Sequence, residues 1–292
     1  MAQSPSHKFG QNLGKLLEEI VLDDILKPRL QQFAQSRKYY LDWQRSRPAR
    51  KGKKVTWEDK YGNKHDLDFV IEIEGTDEQL GKPVAFIESA WRRYTKHSRN
   101  KAQEIQGAIL PIIELHHLSA PFYGAVLAGD FTKPALDQLR NNGFAVIYIP
   151  YQDVVDAFHD IGFNIAFDEN TPDENYTAAF KKLANLTSAD KEKIRQGLMQ
   201  ISKPEVDRFM DRLKNRLERY ITKIVLMPLF GIKYEFQTID EILDNLDTLD
   251  IENPRGSFER FEVIIDYSNQ DTIRATFQEK SLLTDFLNKL KS

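Results

Sequence analysis

Cysteine is absent from all 292 residues. That removes disulfides, thiolate nucleophiles, zinc–thiolate centres and iron–sulfur clusters together. Oxygen and imidazole are left as the ligands for any metal. No apolar run nears the roughly 18–20 residues needed to cross a bilayer. Mean hydropathy is -0.52, and Met1 to Lys8 lacks the basic-then-apolar layout of a secretory signal. The expectation is a soluble, cytoplasmic protein with no membrane partner. Also missing are the GxxxxGK[ST] and GxGxxG phosphate loops, HExxH and the GxSxG elbow. His116 and His117 are adjacent near a predicted helix end, so their rings point to different faces and make a poor metal pair.

What is present is globular: 41% hydrophobic and 29% charged residues exclude wholesale disorder. The net charge of -3 hides a strong segregation. Arg37 to Lys54 holds eight bases against Asp42 alone, among them Arg45, Arg47, Arg50, Lys51 and Lys53. Arg92 to Lys101 holds five bases (Arg92, Arg93, Lys96, Arg99, Lys101) and no acid, whereas Tyr234 to Asn253 holds seven acids and no base. A single charge run is ordinarily a solvated face. Two basic runs flanking a carboxylate-bearing strand pair suggest instead a surface for a polyanion.

Apolar spacing of three and four from Phe9 to Trp43 predicts amphipathic helix, broken or kinked near Pro28. Strands are predicted at 54–59 and 63–74 around the turn Tyr61-Gly62-Asn63, then at 83–87, 122–128 and 144–149. Helices are predicted at 98–117, with Pro111 inside, at 133–141 and at 152–160. The sum is an α/β fold with a mixed central β-sheet flanked by helices. An acidic stretch at 168–175 marks a domain boundary, giving domains 1–170 and 171–292. The second is helical plus a small α+β part, and its helix Glu205–Ile221 is a candidate dimer surface.

Asp68 and Glu88 carry the chemistry. Their midpoint is residue 78, the centre of a polar connection, so a symmetrical reversal sets them opposite each other on neighbouring antiparallel strands. Facing Cβ atoms there lie ~4.5–5.5 Å apart. Two such carboxylates repel unless a cation lies between them or one keeps its proton. Mg²⁺, which prefers oxygen ligands and retains waters, suits the pair. The competing reading is a salt bridge from Glu88 to an arginine, or two acids at a sheet margin.

These residues resemble the PD-(D/E)XK nuclease superfamily, which includes many type II restriction endonucleases. The resemblance rests on Asp68, Glu88 on the next strand, the basic helix beyond it, and the helix–three-strand–helix–strand order over residues 9–150. It implies a restriction endonuclease-like core and a Mg²⁺ site (Mn²⁺ as an alternative ion) formed by Asp68, Glu88 and the main-chain carbonyl of Ser89. It also implies a lysine at position 90, where this chain has Ala90. Lys101, then Lys96, are the expected substitutes, and Glu18 or Glu19 an outer-shell contact.

The leading expectation is a Mg²⁺-dependent DNA endonuclease hydrolysing phosphodiester bonds, of the restriction or related anti-phage defence kind. It would act as a homodimer on double-stranded DNA, with Arg45, Arg47, Arg50, Lys51, Lys53, Arg92, Arg93 and Arg99 contacting DNA. The alternatives are a catalytically inactive DNA-binding protein on a nuclease fold, with Ala90 as its mark, and an interaction protein working through its acidic tail.

Overall fold

A computed structural model describes residues 4–93, 98–168, 170–229, 232–249 and 258–291. Two compact units divide the chain, Met1–Lys214 and Asn215–Ser292. In the first, helix α1 (Pro5–Glu18) starts where the Ser4 hydroxyl accepts the His7 N–H. It continues through a wider π-type segment, Glu19–Leu26, into α2 (Lys27–Ser36). Pro28 does not break the run; it stands in the first turn of α2, directly after the π-type segment.

Strand β1 (Tyr39–Trp43) follows, in a stretch whose apolar spacing reads as helix. The ribbon β2 (Val55–Glu58) and β3 (Lys64–Leu67) forms a separate two-stranded sheet. Next come β4 (Phe69–Ile73), β5 (Lys82–Arg92), α3 (Ser98–Leu115), β6 (Phe122–Gly129), α4 (Lys133–Asn141), β7 (Ala145–Pro150) and α5 (Tyr151–His159). The central sheet runs β1-β4-β5-β6-β7 and is mixed. β1, β4 and β5 are antiparallel neighbours, whereas β5, β6 and β7 are parallel. The predicted strand 63–74 is thus two strands in two sheets, separated at Asp68.

Helices cover both faces. On one, α3 and α4 pack Ala102, Ile105, Ile109, Ile112, Leu136 and Leu139 against Val70, Phe86, Ala125 and Leu127. α3 runs through Pro111 to Leu115. On the other, α1 reaches β5 and α5 reaches β6. The first unit extends beyond the boundary expected near residue 170. There α6 (Asp173–Ala184) sets Tyr176 against Phe9 of α1, ring centroids 6.0 Å apart. Farther on, α7 (Ser188–Leu217) seats Phe209 edge-on against Phe122 at 5.2 Å. A Cβ at Gly124 would lie 2.5 Å from the Phe209 ring, so this approach requires glycine. Val206, Phe209 and Leu213 are buried in this core, and the helix ends at Leu217 rather than at the expected Ile221.

The second unit is an antiparallel sheet ordered β11-β10-β8-β9. Its strands are β8 (Ile221–Pro228), β9 (Tyr234–Phe236), β10 (Phe261–Tyr267) and β11 (Thr272–Phe277). Helices α8 (Ile239–Asn245) and α9 (Lys280–Lys291) bury Ile242, Leu283 and Leu287 against Ile224, Leu226, Val263 and Ile265. Among the described residues, no helix is long and apolar enough to cross a membrane.

Candidate active site

β5 is the strand on which the sheet changes character. It pairs antiparallel with β4 as far as Ile87 and stays parallel to β6 to Arg92. Past Ile87 its β4 side is free, and the chain entering β4 supplies Asp68 there. The register sets Phe69 against Ile87 and Val70 against Phe86, so Asp68 stands across from Glu88, as the reversal about residue 78 predicts. The Asp68 N–H donates to the Ile87 carbonyl at 3.2 Å. Asp68 Oδ2 accepts the Ser89 N–H at 2.7 Å. These two bonds fix the carboxylate against the strand.

A cleft of about 440 Å³ opens beside the pair. It is lined by Lys15 and Glu18 of α1, Asp68, Glu88 and Arg92 of β5, and Lys101 of α3. It lies toward the carboxyl ends of the parallel strands β5 and β6, where open α/β sheets characteristically bind ligands. α1 comes very close to β5 here: a Cβ on Gly14 would sit 2.8 Å from Trp91 Cδ1.

The electrostatics of the three acids agree. Glu88 is pushed up to about 8, first by burial and then by the charge of Asp68, with Lys101 pulling the other way. Burial raises Asp68 as well, against its hydrogen bonds with Ser89 and the charge of Lys101. Glu18 rises through burial and the charges of Asp68 and Asp23, with Lys15 opposing. Glu88 Oε2 is buried and has no hydrogen-bond partner. No arginine bridges Glu88 among the described residues, so the salt-bridge reading finds no support. A buried acceptor without a donor, beside a second carboxylate, is a site short of positive charge.

That deficit tests the fit of a divalent ion. Among the described residues no three His, Asp or Glu side chains gather closely enough to hold a metal by themselves. Two carboxylates with the main-chain oxygen of Ser89 nevertheless match Mg²⁺, which takes one or two carboxylates and keeps waters. The donors are all hard oxygen, and the unsatisfied atom belongs to Glu88. The residues fit the ion.

The remaining sequence-predicted residues divide. Lys101 in the first turn of α3 lines the cleft and acts on both acids, with Nζ 3.2 Å from Glu104 Oε2. Lys96 lies outside the described residues. Glu18 lines the cleft, whereas Glu19, one residue on, is exposed outside it.

The basic linker needs correction. Arg47 is fully buried, its Nη1 donating to Asp42 Oδ2 at 2.8 Å and Glu72 Oε1 at 2.6 Å, its Nη2 to the Thr76 and Gln79 carbonyls. Arg50 donates to both oxygens of the same Asp42 carboxylate. Arg45 is held by Tyr40 and Asp77. Arg93 is buried against Ser6 of α1. These four arginines are structural ties, because the chain supplies buried or nearby acceptors that a phosphate would have to displace. Lys51, Lys53 and Arg99 are exposed, and Arg92 faces the cleft.

Lys15 and Gln11, which also line the cleft, escape a reading that follows apolar positions. Their signal is the spacing Gln11, Lys15, Glu18 and Leu22, a second helical stripe beside the buried Leu13, Leu16 and Leu17.

No family model matches the chain, and no curated protein does. Among solved structures, a crystallised protein of unknown function, AF1548, is similar at 11% sequence identity over 61% of this chain and 95% of its own, with a TM-score of 0.28. So slight a likeness carries no argument.

Proposed function

We propose that this chain is a Mg²⁺-dependent DNA endonuclease that hydrolyses phosphodiester bonds on a restriction endonuclease-like core, with Mn²⁺ an alternative ion. The observation that carries the reading is the buried Glu88 carboxylate, one oxygen unsatisfied, across from Asp68 in a cleft that also holds a lysine. The order α1, antiparallel β1, β4 and β5, then α3 and parallel β6 supports it, since the resembling superfamily shares that order.

A divalent ion bound there would neutralise charge on the scissile phosphate and lower the pKa of water. Asp68 and Glu88 would hold it, with Asp68 kept in place by the Ser89 N–H. Lys101 has its ammonium on the same cleft, so it can orient the attacking water in the role that Ala90 leaves empty. Glu18, across the cleft, can accept a proton from a water in the outer shell. Cutting both strands of a duplex takes two such clefts and hence a homodimer, with the restriction and anti-phage defence nucleases as the functional class.

The test is incubation of plasmid or phage DNA with and without Mg²⁺. Cleavage is expected in Mg²⁺, abolished by chelation, and reduced by at least about 10²-fold in Asp68→Ala and in Glu88→Ala. Cleavage by the parent in chelator, or by both variants at the parental rate, would overturn the proposal. Ala90 favours one other reading, a DNA-binding protein without catalysis. That reading expects salt-dependent binding of DNA and no cleavage by the parent in either ion.

A further inference from the structure

The cleft is divided by charge. Three carboxyls, Glu18, Asp68 and Glu88, share it with three cations, Lys15, Arg92 and Lys101. Lys101 has a carboxylate partner in Glu104. Among the described residues, Lys15 forms no ion pair, and the Arg92 guanidinium donates only to the neighbouring Trp91 carbonyl, at 2.9 Å. Gln11, one turn before Lys15, brings an amide donor to the same cavity. An arginine and a lysine without carboxylate partners, lining one concave surface, make the donor set that phosphate oxygens attract.

We propose that Lys15 and Arg92, on the α1 and β5 walls, form an anion subsite for the backbone phosphate next to the one presented to Asp68 and Glu88. The inference rests on reading the cleft as a phosphodiesterase site. It adds a second point of attachment on the same strand. The close packing of α1 on β5 at Gly14 fixes the spacing of the two backbones that carry them, because Lys15 follows the glycine directly and Arg92 follows Trp91. Neither residue would take part in bond cleavage. Both would act by fixing the strand, so that the scissile phosphate is centred on the carboxylates.

The experiment is fluorescence anisotropy of a labelled DNA duplex over a range of salt concentrations, with no divalent ion present. The proteins are the full-length parent, Lys15→Gln, Arg92→Gln and the double variant. Each lost phosphate contact should lower the slope of log K against log[salt] by about 0.9, and the pair by about 1.8. Lys181→Gln, on α6 outside the cleft, should keep the parental slope. Lys15 is exposed on its helix, so Lys15→Gln keeps the test decisive if Arg92→Gln does not fold.

An unchanged slope in Lys15→Gln and the double variant overturns the subsite, whether or not the parent cuts DNA. An equal loss in Lys181→Gln overturns it too, by showing a diffuse surface effect. A reduced slope confined to the cleft variants, in a parent that does not cleave in Mg²⁺, upholds the subsite while removing the hydrolytic reading. If the parent does cleave, a neutral methylphosphonate at the flanking phosphate should raise KM for the parent and leave KM of the double variant unchanged.

Discussion

A carboxyl held near 8 in the folded chain ionises at about 4.5 once unfolded, and that difference links Glu88 to stability. Its protonated form is favoured by the fold, so its contribution is complete below about 4.5 and is lost as pH rises through about 8. The ceiling on that loss is roughly 5 kcal/mol, because each tenfold change in a proton-binding constant is worth about 1.4 kcal/mol. Other acids, among them Asp66 and Asp77, are lowered by their partners and pull the opposite way. The informative quantity is therefore the difference between the parent and Glu88→Gln. Thermal melts without metal should show the variant gaining on the parent steadily from pH 5 to pH 8, and a flat difference would contradict the burial argument. Lys101 belongs to the same scale. If it substitutes for the lysine that Ala90 lacks, Lys101→Ala should lower kcat by roughly 10²–10⁴-fold with KM little changed. A variant that cuts at the parental rate would release Lys101 from that role.

At the scale of elements, the site depends on how β1, β4 and β5 are tied, and the tie is Arg47. Its guanidinium joins Asp42 of β1 to Glu72 of β4 and to two carbonyls of the β4–β5 connection. Burial works against its charge, and the Glu72 and Asp42 carboxylates outweigh that effect and hold it protonated. Arg47→Met leaves the buried Glu72 carboxylate without a cation and Asp42 with Arg50 alone, at a cost of about 3–5 kcal/mol. For a unit of this size that is a fall in Tm of roughly 10 °C, read by calorimetry or circular dichroism. A drop of only a degree or two would mean that the carboxylates find other donors.

None of this was legible in a count of charges, where Arg47 looks like any base in a run of eight. Burial is set by the strand beside it, and Tyr39–Trp43 continues the spacing of the preceding helix closely enough to hide that strand. The register of Asp68 and Glu88 was legible, because a short polar reversal between two apolar runs leaves few ways to pair them. The break after Leu67 was not, since both ribbon and sheet strands alternate or bury apolar residues, and only the change of partner separates them.

For the whole molecule, the separation of charge along the chain proved a weaker guide than the separation of cores. Each unit owns a hydrophobic cluster, one centred on Phe86 and Leu127, the other on Leu226 and Val263. The small α+β part expected toward the C-terminus was readable because short alternating runs such as Phe261–Tyr267 lie between turns. The extent of the first unit was not, because an apolar helical stripe such as Val206, Phe209 and Leu213 shows that a helix is packed but not against which core. Every residue proposed to hold the ion lies in Met1–Lys214. An ion that binds only the native form stabilises it by RT ln(1 + [L]/Kd), about 2.7 kcal/mol at 100 times Kd. Hydrogen exchange with and without Mg²⁺ should therefore show the added protection first and most strongly at the amides of Phe69, Ser89 and Ala90, which flank the two carboxylates. The amides of β8 and β10 should change least. Glu88→Gln removes one ligand while keeping the shape of the side chain, so in that variant the Mg²⁺ effect on β5 should largely vanish. If the variant gains the same protection as the parent, the ion binds elsewhere and the pairing of Asp68 with Glu88 needs a different explanation.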